Sequence, residues 1–398
     1  MKTQNQFGVR TKLRYCGIVI ASAIALCASA NSQADLLFST NDGHTALKDG
    51  QLVAASPQHA DTLTVYESAQ SRLKLLTTFD MAGSVVGPPM ALWVSPDASW
   101  GIATASTSLD TEHAGEIKPD TQVNVFEIGG TPHGSEIRVV QHLSAGAGAA
   151  SVRVSPDGKY AAVANRDGGT VSFFTISGHA LSPFQTFTYK KDSGPNGAVF
   201  LGDSRTVLVT MNKENRVSIL HIDGDSVEED ARSITTGIAP LTIELSPAGG
   251  LVAVSNMGRS AGDVDTVSII DVSKTPFRTI DTVAVPSGPE PMKFSPDGRY
   301  LTVGSEDGTT KAKSSPFWHA NGYLSVFEVE NGRLHLKAQE KSGGWMEGIA
   351  YSKDGQRIYV QDMNENVILA YGWNGTKLQL LEKRPAAAGP SAFATAWR

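Results

Sequence analysis

The chain has 398 residues, with 34 Lys and Arg against 40 Asp and Glu, and a formal net charge of −6. No Lys/Arg cluster appears, which argues against a nucleic-acid-binding face and against an anionic membrane surface as partner. Both cysteines, Cys16 and Cys27, precede the first acidic residue, Asp35, so the chain beyond them holds no disulfide and relies on its core.

Residues 1–34 read as a secretory signal peptide. Lys2, Arg10, Lys12 and Arg14 make a basic start, residues 15–30 are mostly apolar and small, and 28–30 and 32–34 offer small-residue cleavage sites. The apolar run falls short of the roughly 20 residues a transmembrane helix needs. An exported protein, periplasmic or secreted and not inserted in a membrane, is expected, with residues 35–398 as its one domain.

Within that domain one block recurs six times. It reads SPDASW at 95–100, SPDGKY at 155–160, LGDSRT at 201–206, SPAGGL at 246–251, SPDGRY at 295–300 and SKDGQR at 352–357. The steps of 45 to 60 residues between blocks suit propeller blades. An apolar strand precedes each block and two follow it. In the clearest unit, residues 151–154 lead into the SPDG turn, 160–164 and 170–176 are strands, and a fourth lies near 185–189.

The third strand recurs seven times: TLTVYE at 62–67, QVNVFEI at 122–128, TVSFFTI at 170–176, VSILHID at 217–223, TVSIIDV at 266–272, YLSVFEV at 323–329 and NVILAYGW at 366–373. Seven third strands against six turn blocks leave one inner strand to find. Gly389-Pro390 repeats the Gly-Pro lead-in seen at 87–88, 194–195 and 288–289, so residues 388–398 are expected to supply the inner strand of the first blade. The fold class is therefore all-β: a single seven-bladed β-propeller of four-stranded blades, closed by the C-terminal strand, which leaves no free sheet edge.

Long connections at 41–61, 108–121 and 306–322 open on one face, where loops on a rigid scaffold carry function. They hold His44, His59, His113 and His319 without HxH or HExxH spacing, so no metal site is expected. Counting back five residues from each turn gives the channel-facing positions Met90, Ala150, Gly197, Leu241, Glu290 and Glu347. Glu290 and Glu347 break a small or apolar ring on adjacent blades, and two neighbouring carboxyls can divide acid and base roles. They are the candidate catalytic residues, against the blander reading of two solvated rim carboxylates. Trp345, Trp318, His319, His113 and His44 are the candidate ligand-binding walls. The GRSAG segment at 258–262 matches a nucleophile elbow in letters only, because a strand and not a helix follows it. No motif names a cofactor.

The segments SPDGKYAAVANRDGGTVSFFTI at 155–176 and SPDGRYLTVGSEDG at 295–308 resemble the lactonase-like, or YVTN-type, seven-bladed propeller family, and the resemblance covers essentially all of 35–398. It implies a fold shared by sugar-lactone hydrolases, muconate-type cyclases and proteins without a known reaction. Enzymatic members usually carry Arg and His after the Gly-Pro step and Glu after the Asn ending a second strand. Here Asn196-Gly197 follow Gly194-Pro195, and Lys213 follows Asn212. Two readings stand. The first is an exported monomer that binds a small molecule, glycan or protein partner at the channel mouth without catalysis. The second is a lactone hydrolase or isomerase with a rebuilt carboxylate site.

Overall fold

A computed structural model describes residues 35–69, 72–259 and 261–397. The expected signal peptide, 1–34, lies outside the described residues. Among those described every regular element is a strand, and no helix is long and apolar enough to cross a membrane.

Seven antiparallel sheets make the seven blades. Their innermost strands are Leu92–Val94, Ala149–Val154, Pro195–Phe200, Pro240–Leu245, Pro289–Phe294 and Met346–Tyr351 for blades 2 to 7. Blade 1 takes its innermost strand, Pro390–Ala396, from the far end of the chain. That strand runs antiparallel to Asp35–Asn41, with Leu36 opposite Ala396 and Thr40 opposite Ala392. The expected closure is therefore present, in register.

The recurrent block is a hydrogen-bonded turn. In blade 3 the Ser155 hydroxyl donates to Asp157 Oδ1 at 2.7 Å, and the Lys159 and Tyr160 amides donate back to Asp157 and Ser155. Gly158 takes the left-handed φ of 70° that the turn requires. Ser295–Asp297 and Ser352–Asp354 repeat the hydroxyl bond at 2.6 Å.

Both faces of each blade are buried, which is why its middle strands read as continuous apolar runs. Leu36 and Phe38 pack toward blade 2, while Leu37, between them, packs toward blade 7. One apolar cluster fills each of the seven gaps between neighbouring blades. An eighth, of Val85, Trp345 and Met363 with Leu47 and Val86 against it, sits away from those gaps.

Two connections expected as loops hold strand. Trp100–Leu109 and Ile117–Gly129 continue past the blade as a hairpin, pairing Leu109 with Ile117. Within 41–61, Thr45–Lys48 and Gln51–Ala54 form a separate two-stranded hairpin. Its turn residues Asp49 and Gly50 have φ of 49° and 77°, as a two-residue hairpin turn demands. The 306–322 connection carries no strand.

Candidate functional site

A repeated backbone device positions the channel residues. In blades 6 and 7 the inner strand slips register just after its first residue: Pro289 pairs with Ser305 but Met292 with Val303, and Met346 pairs with Asp362 but Ile349 with Val360. Blade 4 does the same at Pro195 and Ala198. Such bulges re-aim the extra residues. Glu290, Glu347 and Asn196 all occupy them. The residue leading into each of these strands has a left-handed φ: 64° at Gly194, 68° at Gly288 and 45° at Trp345. Trp345 holds a conformation that glycine holds in its neighbours.

A cavity of about 310 Å³ opens at this end of the channel. Its polar side is built from two registers of the blades: bulge residues Asn196 and Glu290, and the residues directly after second strands, Arg166, Asn212 and Glu306, with Thr310 and Lys311 beyond. Its apolar side comprises Leu47 and Leu52 of the hairpin, Val85, Val86, Leu241, Met257 and Trp345.

Glu290 and Glu306 share a hydrogen bond. Burial holds the Glu290 carboxyl well above the usual carboxylate range, and the charge of Glu306 and their mutual bond add to it, with Arg166 opposing. Burial also raises Glu306, against the bonds from Thr310 and Glu290 and the charge of Lys311. The Thr310 hydroxyl donates to Glu306 Oε2 at 2.7 Å. Both carboxyls are thus held above their ordinary range, with the mutual bond acting upward on Glu290 and downward on Glu306. Two carboxyls this close cannot both ionise readily, so the cavity presents an acid and a base side by side.

Glu347 stands differently. It is 0 % exposed, neither carboxyl oxygen has a close hydrogen-bond partner, and it does not line the cavity. Burial, then the charges of Glu290 and Glu306, hold it well above the usual range, with the nearby Trp345 side chain opposing. The reading of Glu290 and Glu347 as solvated rim carboxylates does not survive, because both are buried. The partner that hydrogen-bonds Glu290 is Glu306, which counting along inner strands could not reach. The signal for it was its register directly after the second strand of blade 6, the place Arg166 holds in blade 3.

Of the five candidate wall residues, only Trp345 lines the cavity. His44 is buried at the base of the hairpin, its Nδ1 2.8 Å from Asp61 and its Nε2 3.3 Å from Thr107 Oγ1. Burial alone would lower its imidazole, but the Asp61 bond and the charges of Asp42 and Asp61 carry it above its ordinary value. Asp42 accepts the amides of His44, Thr45 and Val85, and Asp61 those of Gly43 and Gly83. This trio gathers metal-ligating atoms, but its carboxylates are occupied in clamping the loop. His113 is exposed on the blade 2 hairpin, 3.0 Å from Asp110. His319 is exposed and bonds the Asp307 carbonyl at 2.7 Å. Trp318 is half-buried, with Lys313 Nζ 6.0 Å from its ring centre. The three histidines are each oriented by a local partner that sequence spacing does not reveal.

Fold and site together define a propeller with two adjacent buried carboxyls lining a cavity at its channel mouth. Residues 119–230 match the family described as lactonase, 7-bladed beta-propeller, and residues 292–312 match the WD domain, G-beta repeat. No curated protein matches the chain by sequence. Among solved structures, a putative 6-phosphogluconolactonase from Bacteroides uniformis shares 16% identity at a TM-score of 0.72, over 91% of this chain and 99% of that one. The periplasmic gluconolactonase of Pseudomonas aeruginosa shares 14% at 0.68, over 91% and 99%. A functionally unknown protein from Desulfotomaculum acetoxidans shares 12% at 0.67, over 92% and 99%. At these identities the likeness is one of fold. The chain is a seven-bladed propeller, as its repeats implied, and residues 119–230 of it resemble the lactonase propeller family.

Proposed function

We propose that this protein is an exported lactone hydrolase that works through Glu290 and Glu306. The observation that carries the reading is two buried carboxyls, Glu290 and Glu306, side by side in a cavity at the channel mouth. Water attacks the lactone carbonyl carbon while Glu306 takes its proton. Arg166 and Lys311 offset the charge that builds on the carbonyl oxygen. Glu290 gives its proton to the ring oxygen as the C–O bond breaks. The pair ends with the proton on Glu306 and regains its starting state by passing it back across the shared bond. The product hydroxy acid ionises, so each turnover releases one proton to solvent.

Of the two readings drawn from the sequence this is the second. The likeness to solved gluconolactonase folds favours it over binding without turnover. Export is supported by the basic-then-apolar stretch of 1–34 and by the periplasmic location of one similar structure. Proton release from δ-gluconolactone and alkyl lactones, with wild type beside Glu306→Gln, tests the reaction. Loss of about 10²–10⁴ in rate is expected of a missing general base. A wild-type chain that cleaves no lactone would sink the proposal. N-terminal sequencing of the exported chain tests location, with a new end after Ala30 or Ala34 expected.

A further inference from the structure

The cavity is two-sided, and its ceiling is an added element. The hairpin Thr45–Lys48/Gln51–Ala54 is not part of any blade. It leaves blade 1, and its tip meets the loop of blade 6, where a Cβ on Gly50 would lie 2.9 Å from the Ala312 nitrogen. Its second strand is tied to the blade 2 hairpin by the Ala54 amide, which donates to the Gly115 carbonyl at 3.2 Å. Its base is clamped by Asp42, His44 and Asp61. Held at three points, it keeps a fixed height above the acid pair. Leu47 packs into the cluster of Val85, Val86, Trp345 and Met363. Leu52 lines the cavity while 41% exposed, an apolar side chain that a ligand in the cavity would cover.

We propose that the substrate is amphipathic: a lactone whose ring meets Glu290 and Glu306 and whose apolar substituent lies under the hairpin, against Leu52 and Leu47. This rests on the lactone-hydrolase reading and specifies its substrate class. A ring bearing hydroxyls all round would turn some of them toward Leu47, Leu52, Val85 and Val86, whose side chains offer no partner, and unpaired buried hydroxyls weaken binding. An alkyl or aryl substituent fits that wall and removes Leu52 from water.

The test compares δ-decalactone, a six-membered lactone with a five-carbon tail, against δ-gluconolactone. Proton release is followed for wild type and Leu52→Ser, and both compounds are titrated into the wild-type chain by calorimetry. The alkyl lactone should be the better substrate by kcat/KM. Leu52→Ser should lower its kcat/KM about tenfold more than that of gluconolactone, the scale of one apolar contact. Preference for gluconolactone, or an equal effect on both, overturns this inference and leaves the hydrolase reading standing. If neither is cleaved, the hydrolase reading falls and calorimetry decides the rest. Binding of δ-decalactone alone then supports an amphipathic site, and binding of neither overturns it.

Discussion

Glu290→Gln separates chemistry from architecture at this site. The amide still donates to Glu306, so the hydrogen bond survives while the transferable proton is lost. The rate should fall about 10²–10⁴-fold, equivalent to roughly 3–5 kcal/mol of transition-state stabilisation. Stability at mildly acidic pH should change by no more than about 1 kcal/mol, since one neutral hydrogen-bonding group replaces another. The pH dependence gives a second readout. The pair is active with one proton, so the wild-type profile is bell-shaped, rising as the first proton leaves and falling as the second does. With Gln at 290 the falling limb should vanish. Folding follows the same protons. Glu290 lies well above its ordinary 4.5 in the folded state, so its contribution to stability is complete below that value and is lost as pH rises through the folded value. The variant should therefore lose less melting temperature than wild type between pH 5 and pH 8. Steady-state proton release and thermal melts across pH measure both. Full activity in Glu290→Gln, or a large stability loss at every pH with activity intact, would refute the assignment.

Three further outcomes follow from the geometry. Trp345→Gly should be more stable than Trp345→Ala by about 1 kcal/mol, reversing the usual order, because Trp345 holds a φ of 45° that glycine adopts freely; denaturant titrations giving the ordinary order would refute the strain. Glu347→Met should stabilise the chain by about 1–3 kcal/mol at pH 7, since it removes a buried carboxyl whose oxygens have no close partner; a lower melting temperature would mean that those oxygens bind something the variant evicts. Deleting residues 388–398 strips the inner strand from blade 1 and should give an insoluble chain or one without a cooperative melt; a soluble product that melts as wild type does would refute the closure as a source of stability.

The architecture was legible because its signals are local. The turn chemistry of Ser155 to Tyr160 needs only neighbouring residues, and runs such as Val207-Leu208-Val209 are apolar throughout because both faces are buried. Glu290 was legible from register alone. Glu306 was not, because its position depends on how a second strand ends beside an inner strand 16 residues away along the chain. That Glu347 does not line the cavity was not legible either, because it occupies the same bulge register as Glu290 and only tertiary packing separates the two. The histidines were misplaced for another reason. His44, His113 and His319 are oriented by Asp61, Asp110 and Asp307, and such bonds are set by loop conformation, which no periodicity records.

The closing strand also carries a consequence for the order of events at synthesis. The Ser391 hydroxyl bonds the Thr40 carbonyl across 351 positions of chain. Asp35–Asn41 is made early and waits through the translation of six blades before its inner neighbour exists. Throughout that interval the ring is a horseshoe with one unprotected edge, and so long a loop closes slowly. A mutation in 390–396 would therefore act first on the nascent chain, through the time it spends open to chaperones, proteases and its own copies, before it acts on the finished protein.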